Sequence, residues 1–268
     1  MENQKAAAVE ICTGSLEDAL TAYKAGAKRI ELNTALSLGG LSADPVTLQE
    51  IKTRTDLEVI CMARPRAGGF AYSEIETEIM LKQAKMLLEN GADGIAFGFL
   101  TEEGQIDKQK TKQMISLIKS FDKTAVFHRA FDCTPDPLEA MEILIELGAD
   151  RILTSGQKQK ALQGKELLKK LVKQAKGRIE ILPGSGISAE NAIELVEYTG
   201  VNQVHASCSS FYPDPGVSQT EVSFTFEGGN LSHTGLQKVK DLLLALQNTK
   251  QDTEQENSLT DTEQTEAH

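Results

Sequence analysis

The sequence has no tryptophan, and aromatic residues make up only 5% of its 268 positions. Stacking platforms for single-stranded nucleic acid are built from such rings, so that class of function is excluded. Basic residues are in deficit: 28 Lys and Arg stand against 39 Asp and Glu, for a net charge of −11 and a pI near 5.0. Neither a nucleic acid nor an anionic bilayer surface attracts such a chain. No apolar run approaches the ~18 residues that span a bilayer, and the opening MENQKA lacks the apolar stretch of an export signal. The four cysteines, Cys12, Cys61, Cys133 and Cys208, include no C-x-x-C pair. They read as reduced thiols and not as a disulfide framework. What remains is a cytoplasmic protein with no nucleic-acid or membrane partner, acting on something small.

What the chain does have is rhythm. Residues 248–268 stand apart: six acidic residues and one lysine, with Leu259 the one sizeable apolar side chain. Such a segment cannot offset its ordering entropy by burial and is predicted to be a disordered tail, leaving 1–247 as the folded domain. Within it a small turn recurs as AGAK (25–28), NGAD (90–93), LGAD (147–150) and TGVN (199–202). Each follows an amphipathic helical pattern and precedes a short apolar run, with the glycine placed as a helix C-cap. The predicted strands are 8–12, 29–33, 58–64, 94–99, 124–129, 151–155, 178–183 and 203–207. Eight strands alternating with helices predict an α/β fold, a single (β/α)8 TIM barrel. A doubly wound sheet is the alternative, but the first-turn glycine fingerprint of its nucleotide-binding form is missing.

In a closed barrel alternate strand residues face the interior. With Val9, Ile11, Ile30 and Leu32 turned toward the helices, Glu10, Cys12, Glu31 and Asn33 point inward. The same parity turns Arg64, His128 and His205 inward and puts Arg66, Arg129 and Asp132 at the rim, while Gly94, Ala96 and Gly98 leave room. Ionisable groups are costly to bury unless paired, and active sites of this fold lie at the C-terminal strand ends. Glu10, Glu31, Arg64, His128, Arg129, Asp132 and His205 are therefore candidate catalytic residues. The alternative is a structural salt-bridge layer in which Arg64 neutralises the two glutamates. Ser155–Gly156 after strand six and Gly184-Ser185-Gly186 after strand seven could bring backbone N–H groups to an anion, with Arg66 nearby. A plain tight turn accounts for the same glycines. The long stretch 209–235 is expected to act as a lid or binding loop, with Val222, Phe224 and Phe226 in an extended segment, and 236–247 as a closing helix. His233 and His268 are expected to be idle.

The segments EICTGS (10–15), GAKRIELN (26–33), GGLSADP (39–45) and ARPRAGGFAYS (63–73) resemble the CutC family. So do FHRAFD (127–132), RILTSGQ (151–157), GSGIS (184–188) and VHASCSS (204–210). The resemblance implies a cytosolic TIM barrel that assembles as a homo-oligomer, a dimer or tetramer, and a copper homeostasis protein with copper(I) as its ligand. It carries over Cys12 as a thiol ligand. Where members often have a second cysteine, in the block RIELC, this chain has Asn33. Copper(I) favours several soft ligands, and Cys208, just past strand eight, is the other cysteine that could approach Cys12. Three functions compete: copper handling, an enzyme acting on a small anionic or phosphorylated substrate, and a scaffold with a vestigial pocket. The enzyme reading gives work to the arginines and glycine turns that copper binding leaves idle.

Overall fold

A computed structural model describes residues 7–214 and 230–247. The predicted tail and the segment holding Val222, Phe224 and Phe226 lie outside the described residues. Eight parallel strands form the core: β1 (Ala8–Thr13), β2 (Arg29–Leu32), β3 (Glu58–Met62), β4 (Gly94–Phe97), β5 (Thr124–Phe127), β6 (Arg151–Thr154), β7 (Glu180–Pro183) and β8 (Gln203–Ala206). Seven helices lie between them: α1 (Leu16–Ala25), α2 (Pro45–Arg54), α3 (Glu74–Glu89), α4 (Lys108–Lys119), α5 (Pro137–Leu147), α6 (Lys165–Ala175) and α7 (Ala192–Thr199). The side chains of Ser15, Asp44, Ser73, Asp107 and Asp136 accept first-turn N–H groups, so five helices begin where the sequence supplies a cap. Gly26 and Gly148 end α1 and α5 in the left-handed conformation, as the recurrent turn predicts. No described helix is long and apolar enough to cross a membrane.

Strand order runs β7-β6-β5-β4-β3-β2-β1-β8. The remaining seam is bridged in parallel between Gly184 and His205. With β8 paired to β1 on its other side, this bridge joins the two ends of the sheet, which stay apart in a doubly wound fold. The barrel is therefore as expected. Three predicted strands stop two residues earlier than their sequence suggests, β4 at Phe97 among them. β3 ends at Met62 and β5 at Phe127, because Arg64 turns to hold loops and Arg129–Cys133 forms a short 3-10 turn.

Two apolar layers result. One lies between the strands and the helices; the other is a plug inside the barrel made of Ile60, Met62, Ala96, Val126, Leu153 and Leu182. That plug comes from β3 to β7. The inward residues of β8, β1 and β2 are polar instead, and register aligns them: Glu10 lies opposite both Arg29 and His205, and Cys12 opposite Glu31. After β8 the chain forms an antiparallel pair, β9 (Ser209–Pro213) with β10 (Asn230–Thr234), followed by the closing helix α8 over 236–247. The Thr234 N–H donates to Asp18 Oδ1 at 2.6 Å, which pins β10 to α1.

Glu10 is 1% exposed and forms ion pairs with Arg29 at 2.8 Å and Arg151 at 3.6 Å. Removing one partner of a buried pair strands the other charge, at about 3–5 kcal/mol. Arg29→Met should lose stability of that order in urea denaturation; a loss under about 1 kcal/mol would remove the network from the account of the fold.

Candidate functional site

The polar wall meets open space at the C-terminal strand ends. A cavity of about 990 Å³ lies there, lined among others by Cys12, Glu31, Asn33, Arg64, His128 and His205. Its outer edge is formed by β9 and β10 through Phe211, Tyr212, Leu231 and Ser232, so the described ends of the stretch 209–235 border the site. His233 stacks edge-on against Tyr212 at 5.0 Å.

Glu10 sits beneath the cavity and organises it. Its Oε1 lies 2.9 Å from His205 Nδ1, which directs the ring's other nitrogen toward Glu31, whose Oε2 is 3.9 Å away. Cys12 Sγ lies 3.9 Å from the same oxygen. Asn33 Nδ2 donates to Glu31 Oε2 at 2.9 Å and to the Cys12 sulfur at 3.6 Å. Cys12, Glu31 and His205 thus offer a sulfur, an oxygen and a nitrogen all within 4.8 Å of one another.

Burial and charge set the protonation states. Burial alone would raise the Glu10 pKa, but the His205 hydrogen bond and the charges of His205, Arg29 and Arg151 pull it below the usual carboxylate range. Burial would likewise discharge His205. Its bonds to Cys12 and Glu10 and the charge of Glu31 reverse this and hold the imidazole well above its ordinary value. Burial pushes Glu31 up, and the Glu10 charge adds to it against the opposing pull of His205, Asn33 and Cys12. Burial pushes the Cys12 thiol up as well, more than His205 lowers it. The resting site is therefore an imidazolium between carboxyl groups beside a neutral thiol. A carboxylate on Nδ1 with Nε2 facing a cavity is also how metal-binding histidines are oriented.

Arg64 does not neutralise the glutamates. Its guanidinium donates to the carbonyls of Leu38, Gly39, Gly40 and Gly68 at 2.8–3.2 Å, and it lies over the Phe70 ring. The arginines that neutralise Glu10 are Arg29 and Arg151, which share the inward parity of Glu31 and Leu153 and were not among the candidates, while the cation nearest Glu31 is His205. Arg66 pairs with Glu76 and stacks on Tyr72. Arg129 Nε pairs with Asp132 at 2.8 Å, and its other donors reach Ser155 Oγ. Asp132 also accepts from Thr154 Oγ1 and the N–H groups of Ser155 and Gln157, tying the loop after β6 to the one after β5.

Arg129 and Asp132 line the cavity; Arg66, Ser155, Gly156, Gly184, Ser185 and Gly186 do not. Gly156 lies against Gly164, whose Cα a Cβ there would approach to 2.9 Å. Ser185 Oγ donates to the Gln159 carbonyl. Cys208 packs into the core under the helices, outside the Cys12 group. Burial drives its thiol pKa to about 11.

A model of the CutC family matches residues 7–210. A CutC family protein of Treponema denticola is 54% identical over 197 residues, 74% of this chain and 79% of its own length. The human copper homeostasis protein cutC homolog is 42% identical over 202 residues, 75% of this chain and 73% of its own. A solved CutC structure from Streptococcus agalactiae superposes with a TM-score of 0.71 at 31% identity, covering 75% of this chain and 98% of that one. The shared region runs the length of the barrel and contains every residue of the polar wall, and the chain belongs to the CutC family.

Proposed function

We propose that this chain handles copper(I) in the cytosol, holding the ion between Cys12 Sγ and His205 Nε2 with Glu31 as a further ligand. The observation that carries this is the convergence of those three donors within 4.8 Å. Support also comes from the names of the relatives, the human one being called a copper homeostasis protein. The donors are mixed: one soft thiol, one imidazole and one hard carboxyl oxygen. Such a set holds copper(I) less tightly than a pair of thiolates and suits transfer better than storage. Self-association into a dimer or tetramer fits the exposed apolar stripe of Ile75, Ile79 and Met86 on α3, a face that a second copy would cover.

A second function has its own support. The cavity of about 990 Å³ is far larger than an ion needs and has the size of a small-molecule site. In it Glu31 and His205 are placed for acid–base work on a small organic substrate, with Arg129 at the margin.

Under the copper proposal, Cys12→Ser and His205→Gln should each reduce bound copper(I) from about one per chain to a small fraction of that, and Cys208→Ser should leave it unchanged. Copper titration against a chromogenic copper(I) chelator reads this directly. Full stoichiometry in Cys12→Ser would overturn the site.

Proton competition gives an independent check. Thiol and imidazole both have raised pKa values, so each must shed a proton when the metal binds. Affinity should fall with pH by about tenfold per unit for each proton displaced. With two protons displaced over two pH units, a ratio between pH 8 and pH 6 approaching ~10,000 is expected, and ~100 would mean that only one is displaced. A flat profile would exclude this pair of ligands.

A further inference from the structure

The net charge of −11 is not spread evenly along the chain. Residues 158–178 hold eight of the 28 Lys and Arg residues against a single acid, Glu166. Most of this stretch is α6, which buries Leu168, Leu171 and Ala175 against the barrel. The helical period that buries those three turns the lysines outward, and Lys169, Lys170, Lys173 and Lys176 are all exposed. Spaced by four and then three residues, Lys169, Lys173 and Lys176 form one stripe along the helix.

The acids beside this face are already engaged. Glu194 pairs with Lys165, Glu142 pairs with Arg178, and Glu166 accepts from the Tyr198 hydroxyl. Lys169 lies over the Tyr198 ring. Lys170, Lys173 and Lys176 have no ion pair or side-chain hydrogen bond among the described residues. On α3, by contrast, Lys82 pairs with Glu78 and Lys85 with Glu89. A helix C-terminus favours cations, but only over its last turn, and Lys169 and Lys170 lie before it. Like charges at this spacing repel, so the stripe opposes the fold unless something anionic covers it.

The complementary charge is in the same chain. Residues 248–268, outside the described residues, hold Asp252, Glu254, Glu256, Asp261, Glu263 and Glu266 against Lys250. They start where α8 ends, at the N-terminal end of the barrel, with Leu243 of α8 beside Gly26 at the end of α1. At the same end Gly200, which closes α7, lies beside Val172 of α6. The helix after β8 follows α7 around the ring, so the stripe lies two helices from Gln247, roughly 20 Å away at ~10 Å per helix. A flexible chain of 21 residues has an r.m.s. span of about 25 Å. A tether whose natural span matches the distance gives the highest effective concentration. Each exposed pair contributes little alone; the tether lets several act together.

We propose that residues 252–266 dock across the Lys169–Lys176 face of α6 in their own chain and cover it against outside anions.

Amine-reactive footprinting of the full-length protein at micromolar concentration, read by mass spectrometry, tests this. The comparison is a full-length variant with the six tail acids changed to amides: D252N, E254Q, E256Q, D261N, E263Q and E266Q. In about 0.1 M salt, Lys170, Lys173 and Lys176 should label at least about threefold more slowly in the unaltered chain. In about 1 M salt, where the Debye length falls from ~10 to ~3 Å, the two proteins should label alike. Lys82 and Lys85 should show no difference at either salt. Equal labelling of the α6 lysines at low salt would overturn the proposal.

Carbodiimide cross-linking of mixed nitrogen-14 and nitrogen-15 chains identifies the occupant. Products joining the tail to Lys169–Lys176 within one isotope are expected. Products of mixed isotope alone would give the face to a second copy, and equal yields at Lys82 and Lys85 would make the tail a non-specific counter-charge; either overturns the proposal. Vesicles of phosphatidylcholine and phosphatidylserine should bind the amide variant more tightly than the unaltered chain. Equal binding of both would leave the face open to an anionic surface and would also overturn it.

Discussion

A carboxylate removed from water inside a barrel has to be paid for by its neighbours, and the rest of this structure follows from how Glu10 is compensated. The desolvation penalty is several kcal/mol per ion. No single neighbour covers it: β2 contributes Arg29, β6 Arg151 and β8 His205. Arg151 reaches on to Glu180 of β7, and Arg29 donates to Gln203 of β8. One buried charge thus links five of the eight strands, β1, β2, β6, β7 and β8. Because Glu10 occupies His205 Nδ1, the other face of that ring is turned to Cys12 and Glu31. The network that closes the lower barrel is therefore the one that orients the upper site.

Much of this was legible in the sequence, and the boundary between what was and was not has a physical origin. Strand alternation and the glycine turns depend on local periodicity, so the barrel could be read from them. Parity placed Glu10, Cys12, Glu31, Asn33, His128 and His205 inward, because side chains alternate rigidly along a strand. The same rule covered Arg29 and Arg151, but a cation at a strand's first residue looks like a solvated end. Arg64 misled for a different reason. Its partners are backbone carbonyls of residues 38–40 and 68, and a carbonyl has no identity in a sequence. Cys208 lies beyond a strand correctly set beside β1, yet its backbone turns into the left-handed region at φ 47° and the thiol goes to the core. Adjacency of strands does not extend past their ends.

Asn33 stands where the resemblance implies a second cysteine, and its contacts show what an amide does at that position. Its amide donates to the Cys12 sulfur and to Glu31 Oε2, so it supports both anionic forms where another thiol would have added a ligand. The softness of the donor set falls, and its affinity for protons and polar ligands gains in weight. Asn33 touches two of the three donors, Cys12 and Glu31.

Copper and an organic ligand make opposite demands on the same atoms. A bound copper(I) ion needs Cys12 as thiolate and His205 with Nε2 bare, whereas the resting electrostatics hold the thiol neutral and the imidazole charged. The charge is held there by Glu10, and Glu10 is held by arginines that the fold cannot release. A polar organic molecule bound in the cavity would find those protons in place. The metal must displace them. Occupancy of the cavity by either proposed ligand would change the protonation that the other requires, which would couple the two proposed functions through His205.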